Sequence, residues 1–319
     1  MQRISVLDPS IVSYNLGNDI IIDSVNNFLK EQFNEAFITK LQFTDRLGKK
    51  SKRYISNSDI TFLAGTNSLS SKMRKLEQFR ITIFDLLKVN SIVLLGVGWW
   101  QYEEVPKKID RFILQNLLSK SINHSVRDTY SKEMLVKAGI NNVIYTGCPS
   151  MWSLDAAHCQ SIPSNKARSV LFTFTDYSKS IEADSKLLGI LNQNYKNLFF
   201  WPQGINDLEY LNEISKGQII KINYLCPNLS SLDTFLKNHD VDYVGTRLHA
   251  GIRAIQFKKR ALIVGVDNRA LEISRDTNLN VTERNDFNAI QNFIENEFQT
   301  NINIPLSNIN IWKSQFSIN

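Results

Sequence analysis

Residues 242–270 read DYVGTRLHAGIRAIQFKKRALIVGVDNRA. Apolar residues typical of a strand end at Val244 and resume at Ala261, and a segment with helical character separates them. Parallel strands need such a crossover, and each strand here ends at a polar turn. The stretch therefore predicts a β-α-β unit in a parallel sheet covered by helices.

The same alternation extends through the rest of the chain. Strands are predicted at 4–7, 60–64, 91–97, 124–126, 142–145, 170–174, 198–201, 219–222, 241–244 and 262–266. A polar stretch at 156–169, which contains Pro163, is the best candidate for a linker. We predict an α/β protein of two Rossmann-like domains, residues 1–155 and 165–319. Two domains agree with the length of 319 residues, which is more than a single hydrophobic core usually supports.

The composition is that of an ordinary globular protein, with 43% apolar and 21% charged residues. No stretch approaches the roughly 20 apolar residues of a membrane span, and the start lacks the apolar core of a signal peptide. We therefore expect a cytoplasmic protein. The three cysteines lack CxxC spacing, which indicates neither a disulfide framework nor a zinc site.

A formal charge of +6 favours anionic partners. The Lys and Arg are scattered among 31 acidic residues, with no long basic run and no nucleic-acid motif, so no nucleic-acid partner is expected. Attraction to phosphorylated substrates, or peripheral association with the inner face of the cytoplasmic membrane, is compatible with this charge. Solvated surface charge is the alternative.

Polar side chains at the strand ends are the candidates for chemistry, because ligands of open α/β sheets bind there. Arg247 and His249 stand two apart where a helix begins, which suits a phosphorylated anion: the helix end offers N–H donors, Arg a bidentate fork and His a proton. The alternative is a capped helix whose His packs on Tyr243. Arg269 follows the next strand and should lie nearby, unless it only pairs with Asp267 or Glu272 at the surface.

In the first half of the chain, Arg127 and Asp128 directly follow the predicted strand at 124–126. If the two domains face one another, Arg127 completes a positive pocket with Arg247 and Arg269. The alternative is a helix-capping Asp128 beside a solvated Arg127.

Four elements occur in a characteristic order: Asn15 to Asp19 (NLGND), Gly96 to Gly98 (GVG), Ser125 to Asp128 (SVRD) and Thr246 to His249 (TRLH). In this the chain resembles the polysaccharide pyruvyl transferase family. The resemblance runs from about Ser13 to about Leu279 and is strongest at 125–154 and 242–270. It implies a glycosyltransferase-B-like pair of Rossmann-type domains facing a cleft, with donor binding mainly in the second.

The resemblance also implies an activity: transfer of pyruvate from phosphoenolpyruvate to a sugar of a bacterial capsular or exopolysaccharide precursor, forming a pyruvate ketal. Arg127 matches the family's Arg in the first-domain block, and Arg247 with His249 match its Arg-x-His element. Arg269 stands where better-known members carry a Lys. We assign His249 as the general acid, or else as a phosphate ligand only, and all three arginines to the donor.

The acceptor is expected to be a glycan or a lipid-linked oligosaccharide. Asn15 and Asp19 lie on the predicted first-domain turn that faces the cleft, and Trp99 with Trp100 could stack on a sugar ring. Core packing of the tryptophans is equally compatible with the sequence. Asp128 is a candidate base or a helix cap.

A loop of type Trp201 to Gly204, followed by Asp207, is predicted to line the cleft. His124, His158 and His239 have no partner at metal-ligand spacing, so no metal is expected, and no cofactor other than phosphoenolpyruvate as the donor substrate. Two other functions remain open. One is a nucleotide-sugar-dependent glycosyltransferase on the same scaffold, and the other is a non-catalytic glycan-binding module.

Overall fold

Strands and helices alternate along the whole chain in the computed structural model, which describes residues 1–44 and 46–317. The strands are β1 (Arg3–Leu7), β2 (Phe37–Leu41), β3 (Ile60–Ala64), β4 (Ile92–Leu95), β5 (His124–Val126), β6 (Val143–Tyr145), β7 (Ser169–Thr173), β8 (Asn197–Phe200), β9 (Ile222–Tyr224), β10 (Asp242–Gly245), β11 (Ala261–Gly265) and β12 (Val281–Glu283). The helices are α1 (Gly17–Gln32), α2 (Lys49–Ser56), α3 (Lys108–Leu117), α4 (Thr129–Lys137), α5 (Ala156–Gln160), α6 (Ile181–Asn194), α7 (Asp207–Ile214), α8 (Leu229–Asn238), α9 (Leu248–Gln256), α10 (Asn268–Thr277), α11 (Phe287–Glu295) and α12 (Leu306–Ser314). Short 3-10 helices cover Ile83–Leu87 and Pro149–Met151.

The chain divides into two compact units. Unit 1 contains residues 1–13, 21–152 and the C-terminal segment from residue 304, and unit 2 contains residues 14–20 and 153–303. This differs from the predicted division in two places, because the C-terminal segment belongs to unit 1 and residues 14–20 to unit 2. Neither exchange is visible in local sequence, since each depends on contacts with distant parts of the chain.

The sheet of unit 1 is parallel, with the strand order β2-β1-β3-β4. A second parallel pair, β5-β6, continues beside β4 through a bridge between Val97 and Val126 and a hydrogen bond of 3.0 Å from the Gly96 N–H to the Ser125 carbonyl. The chain order reverses between β1 and β3, so the loops after these strands lie at a topological switch point.

Unit 2 has one six-stranded parallel sheet in the order β12-β11-β10-β7-β8-β9. Counted from β7, this is the Rossmann order, and its switch point lies between β7 and β10. Together the two units confirm the predicted α/β class with Rossmann-like architecture. The carboxyl ends of β7 and β10 are where such a fold binds ligands.

Most predicted strands are present, but the edges of the sheets differ from the prediction. The strands β2 and β12 were not predicted, and the prediction for 219–222 overlaps β9 only at Ile222. These are edge strands with largely exposed residues, so they lack the apolar pattern on which sequence reasoning depends. The predicted linker also contains the short helix α5.

The C-terminal helix α12 completes an aromatic core in unit 1. Trp312 is fully buried, its ring centroid lies 5.2 Å from that of Phe28 and 6.0 Å from that of Trp152, and its indole N–H donates to the Asn123 carbonyl at 2.7 Å. This packing explains why the segment belongs with the first half of the chain.

We expect Trp312→Ala to lower the free energy of unfolding of unit 1 by about 3–5 kcal/mol, because it opens a large cavity and removes one of the two hydrogen bonds to the Asn123 carbonyl, the other coming from Gln315 Nε2. Ile311→Ala on the same helix is the matched control, since Ile311 is 56% exposed, and should change it by less than about 0.5 kcal/mol. Urea titration followed by tryptophan fluorescence and circular dichroism measures both. Equal effects of the two variants would contradict this account of α12.

Candidate functional site

The turn after β10 is held by a closed ring of hydrogen bonds at the switch point of unit 2. The Arg247 N–H donates to Thr173 Oγ1 (3.2 Å), that hydroxyl lies 2.6 Å from Tyr243 Oη, and the Tyr243 hydroxyl donates to the Arg247 carbonyl (2.7 Å). Gly245 makes this possible, because a Cβ there would lie 2.5 Å from Thr173 Oγ1. The ring determines the direction in which the Arg247 side chain leaves the sheet.

The Arg247 guanidinium is enclosed by carboxylates. Its Nε donates to Asp207 Oδ2 (3.0 Å), its Nη2 donates to both Asp207 Oδ1 and Asp176 Oδ1 (2.8 Å for the latter), and only 2% of the side chain is exposed. Burial alone would lower the pKa of Arg247, but Asp207, with a contribution from Asp176, raises it above its usual value. Arg247 is therefore a permanently charged group whose donors are directed at protein carboxylates.

Asp207 connects three loops to this guanidinium. Its carboxylate accepts hydrogen bonds from the backbone N–H groups of Gln203 (3.1 Å), Gly204 (2.7 Å) and Asp176 (3.2 Å) in addition to those from Arg247. Gly204 has no room for a side chain, since a Cβ would lie 2.2 Å from Arg247 Nη2. The Trp201–Asp207 loop thus lies at the switch point as a binding partner of Arg247.

A second cation, Arg269, lies near Arg247 because both contact the ring of Tyr177. The Arg247 Cζ lies 5.0 Å and the Arg269 Cζ 5.8 Å from the centroid of the Tyr177 ring, which is a cation–π distance for both. Arg269 also donates to the Tyr177 hydroxyl and, from Nε, to Asp267 Oδ2 at 2.9 Å. The structure therefore brings Arg247 and Arg269 together, as the sheet geometry predicts.

The alternative predicted for Arg269 is present as well, since it pairs with Asp267, whereas Glu272 pairs with Arg275. Burial alone would lower the pKa of Arg269, but Tyr177 and Asp267 raise it. The side chain of Arg269 is 19% exposed, and Tyr177 is 55% exposed. Together with Asp267, whose side chain is 25% exposed, these two residues form the accessible part of the cluster.

The carboxylates of this cluster outnumber its guanidiniums by three to two. The carboxylates of Asp176, Asp207 and Asp267 stand against the guanidiniums of Arg247 and Arg269. Arg247 and Arg269 therefore leave no excess of positive charge at this switch point, because Asp207 and Asp176 from neighbouring strand ends pair with Arg247, and Asp267 from the same turn pairs with Arg269. The positions left for an incoming anion are the first turn of α9 and the accessible edge formed by Arg269 and Tyr177.

His249 is the second residue of α9, two positions after the N-cap residue Arg247, and is 6% exposed. The backbone N–H groups of a first helical turn have no partners within the helix, and the helix dipole favours an anion beside them. The His249 side chain thus lies on the turn of α9 whose N–H groups face an incoming ligand.

Residues 14–20 bring Asn15 to the loop that holds Arg247. Asn15 Oδ1 accepts hydrogen bonds from the Gly17 N–H (3.0 Å) and from Gln203 Nε2 (2.9 Å), and Asn15 forms a bridge with Gly204. Asp19 lies in the first turn of α1. Both residues were predicted on the first domain. The structure corrects this to unit 2, because their segment is hydrogen-bonded to the Gln203 loop.

Arg127 is buried in unit 1. Its Nη1 donates to Asn67 Oδ1 (2.6 Å), its Nε and Nη2 donate to Asp128 Oδ2 (3.1 and 3.0 Å), and 2% of its side chain is exposed. Gly98 makes room for the guanidinium, since a Cβ there would lie 2.2 Å from Arg127 Nη2. Asp128 Oδ1 caps α4 through the Ser131 N–H at 2.7 Å. The capping role predicted for Asp128 is therefore present, whereas Arg127 is not a solvated side chain.

Trp99 is fully buried in the core of unit 1. Its indole N–H donates to Glu103 Oε2 at 2.8 Å, and its backbone N–H donates to Ser131 Oγ at 2.7 Å. Stacking on a sugar needs an accessible ring face, so the structure favours core packing for Trp99. The neighbouring Trp100 is only partly buried.

Sequence reasoning missed Asp176 and Tyr177 and gave Asp207 only a lining role. A signal was available, because residues 174–177 follow the predicted strand at 170–174, which neighbours β10 in the sheet. What the sequence lacked was the strand order, without which these side chains have no reason to meet Arg247.

The two sheets and the charged switch point define a glycosyltransferase-B-like α/β protein. Similar folds occur in UDP-GlcNAc 2-epimerase from Methanocaldococcus jannaschii in complex with UDP-GlcNAc and UDP (10% identity, 98% of both chains covered, TM-score 0.53) and in the S. aureus MnaA–UDP co-structure (13% identity, 93% of this chain and 89% of that chain, TM-score 0.51). The sequence model of the polysaccharide pyruvyl transferase family matches residues 15–268 of this chain. The chain therefore belongs to the polysaccharide pyruvyl transferase family, which confirms the resemblance read from its motifs. Curated protein sequences give no match.

Within residues 1–44 and 46–317, no helix combines the length and apolar character needed to cross a bilayer. The same residues contain no group of three or more His, Cys, Asp and Glu side chains placed to hold a metal ion. That the reaction needs no metal stays a prediction.

His124, at the start of the strand that leads to Arg127, is a structural residue. Its Nδ1 accepts from the Leu94 N–H (3.3 Å), and its Nε2 donates to the Ser119 carbonyl (2.9 Å), which defines a neutral ring. Burial lowers the pKa of His124 to about 4 from 6.5. The folded protein therefore resists protonation of this ring while the unfolded chain accepts it.

Because its pKa is lowered on folding, His124 stabilises the protein fully above pH 6.5, and this contribution falls as the pH drops towards 4. Between pH 6.5 and pH 4 we expect protonation of His124 in the unfolded chain to lower the free energy of unfolding by about 3 kcal/mol. In His124→Gln this part of the dependence of the unfolding free energy on pH should be absent. Urea titrations at several pH values between these limits compare the two proteins, other titrating groups being common to both. An unchanged slope in the variant would rule out this role.

The buried pair of Arg247 and Asp207 should carry stability that a surface pair does not. Asp207→Ala leaves a buried guanidinium with one carboxylate, and we expect a loss of about 3–5 kcal/mol in the free energy of unfolding of unit 2. Glu213→Ala, which breaks the exposed pair with Lys179, is the matched control and should cost about 1 kcal/mol or less. Similar losses in both would show that Asp207 is not the centre of the cluster.

Proposed function

We propose that this protein transfers pyruvate from phosphoenolpyruvate to a sugar of a bacterial surface polysaccharide precursor, closing a pyruvate ketal. The observation that carries the proposal is the position of Arg247 and His249 at the switch point of unit 2, in a chain that belongs to the polysaccharide pyruvyl transferase family. The proposed acceptor is a glycan or a lipid-linked oligosaccharide.

The reaction makes defined demands on the site. The CH₂ carbon of the enol takes a proton, the central carbon bears positive charge, two sugar hydroxyls bond to that carbon, and phosphate leaves. The balance is one diol and one phosphoenolpyruvate giving one ketal and one phosphate, with no redox change. The reaction therefore requires at least a proton donor and an anion-binding site.

His249 is the proposed general acid. It lies in the first turn of α9, where a phosphate is stabilised by the helix N-terminus, and a bound phosphate in turn favours the protonated imidazole. Its low exposure shields the transferred proton from bulk water. These properties also fit a phosphate ligand, and either role makes His249 necessary for ketal formation.

The proposal gives the two cations of unit 2 different tasks. Arg269 and Tyr177 are accessible and are the proposed contacts for the carboxylate or phosphate of the donor. Arg247 is enclosed by Asp207 and Asp176, so its proposed task is to hold the strand-end loops and supply positive field rather than to bind the donor with free N–H groups. Arg127 stays a predicted donor contact in unit 1.

Mass spectrometry of the surface polysaccharide, from a producing bacterium with and without this protein, tests the reaction. We expect the mass of a pyruvate ketal to disappear without the protein and to return when the wild-type chain is supplied. His249→Ala should reduce ketal content at least about 100-fold, which is the usual contribution of general acid catalysis. Arg269→Lys should retain most of it, since it keeps the charge at this position.

His239→Ala is the matched control, because His239 stacks on Phe235 at the end of α8, outside the switch point, and ketal content should not change. Loss of a sugar instead of a ketal, with turnover of a nucleotide-sugar by the purified protein, would replace the proposal with a glycosyltransferase. Full ketal content in the His249→Ala strain would indicate a non-catalytic module.

A further inference from the structure

A short 3-10 helix of unit 1, Ile83–Leu87, presents large apolar side chains to solvent. Phe84 is 85% exposed, Leu87 83% and Ile83 44%. Residues three apart in a 3-10 helix project from the same side, so Phe84 and Leu87 form one apolar prominence. Single exposed apolar residues are normal at protein surfaces, but two adjacent, almost fully exposed side chains of this size are not.

The prominence is rigidly supported from below. Leu86 packs against the core of unit 1, and Thr82 and Asp85 form a reciprocal capping box in which Asp85 Oδ2 accepts from the Thr82 N–H (2.8 Å) and hydroxyl (2.7 Å). The apolar side chains are therefore held outward in the folded protein rather than exposed by a loose loop.

A basic segment lies beside this turn. Residues 46–53, RLGKKSKR, contain five basic and no acidic side chains, whereas the whole protein has a formal charge of only +6. Lys52 from α2 pairs with Asp85 of the 3-10 helix, which links the two segments in space. Arg46, Lys49, Lys50 and Arg53 are exposed, as is Lys88 at the end of the turn. A local excess of positive charge therefore lies beside the apolar prominence.

This combination matches the chemistry of one partner. An anionic bilayer offers headgroups that attract Lys and Arg at its surface and an apolar layer just below that accepts Phe and Leu. A second copy of this chain fits poorly, because a symmetric contact through this surface would oppose five cations with five cations. We propose that the basic–apolar patch, residues 46–53 and 83–88, docks unit 1 onto an anionic membrane surface.

Co-sedimentation with lipid vesicles tests the proposal on the full chain. We expect binding to vesicles of phosphatidylcholine mixed with phosphatidylglycerol, weak binding to phosphatidylcholine alone, and release as salt is raised, because the attraction is screened. Phe84→Ser combined with Leu87→Ser should weaken binding to the anionic vesicles by more than about tenfold. Lys49→Glu combined with Lys50→Glu should do the same and should also reduce the dependence on salt.

Two matched variants control for general loss of apolar or basic surface. Ile219→Ser with Ile311→Ser removes two other exposed apolar side chains, 101% and 56% exposed, and Lys258→Glu with Lys259→Glu reverses another adjacent Lys pair. Both should bind anionic vesicles as the wild type does. Circular dichroism and thermal melts of every variant confirm that the fold is retained.

Three outcomes would overturn the proposal: no preference for anionic vesicles, equal losses in the patch variants and their controls, or a patch variant that changes only the oligomeric state. The test is independent of the proposed reaction, since phosphate release from phosphoenolpyruvate with a water-soluble acceptor should be the same in the wild type and in the Phe84→Ser/Leu87→Ser variant. If that activity is absent from both proteins while vesicle binding behaves as expected, the proposed reaction is contradicted and the proposed membrane contact is supported.

Discussion

The buried guanidinium of Arg247 is the constraint on which the ligand-binding edge of unit 2 depends. A charge with 2% exposure is costly unless it is paired and hydrogen-bonded, and here Asp207 and Asp176 provide that compensation. The carboxylates come from the loops after β8 and β7, whereas Arg247 follows β10. Three strand ends that are far apart in sequence are thereby held in one arrangement.

Glycines make room for the buried guanidiniums of Arg247 and Arg127. Gly204 lies against Arg247, Gly98 lies against Arg127, and a Cβ at either position would come within 2.2 Å of a guanidinium nitrogen. The same solution in the two units indicates that close approach of the backbone, rather than a turn requirement, explains these residues. A guanidinium fixed in this way is better suited to provide a constant electrostatic field than to close on a ligand as a flexible side chain.

The pairing of both arginines of unit 2 with carboxylates has consequences for where an anion can bind. Arg247 and Arg269 are both neutralised by neighbouring carboxylates, so the first turn of α9 and the exposed edge formed by Tyr177 and Arg269 are the remaining attractive positions. Residues 46–53 of unit 1 carry a local net charge of +5, because five cations share this short stretch without any acid. Over the whole chain the Lys and Arg are scattered among 31 acidic residues.

The sequence by itself determined the α/β class, most of the strands and the polar turns that carry Arg127, Arg247, His249 and Arg269. These depend on local periodicity and on motifs that short segments contain. Only the tertiary structure decided that Asp176, Asp207 and Tyr177 meet Arg247, that Trp99 is buried, and that residues 14–20 and the C-terminal helix belong to the opposite unit from the one expected. Each of these depends on strand order and on contacts between segments distant in sequence, and no local pattern records which partner a buried charge or an aromatic ring will find.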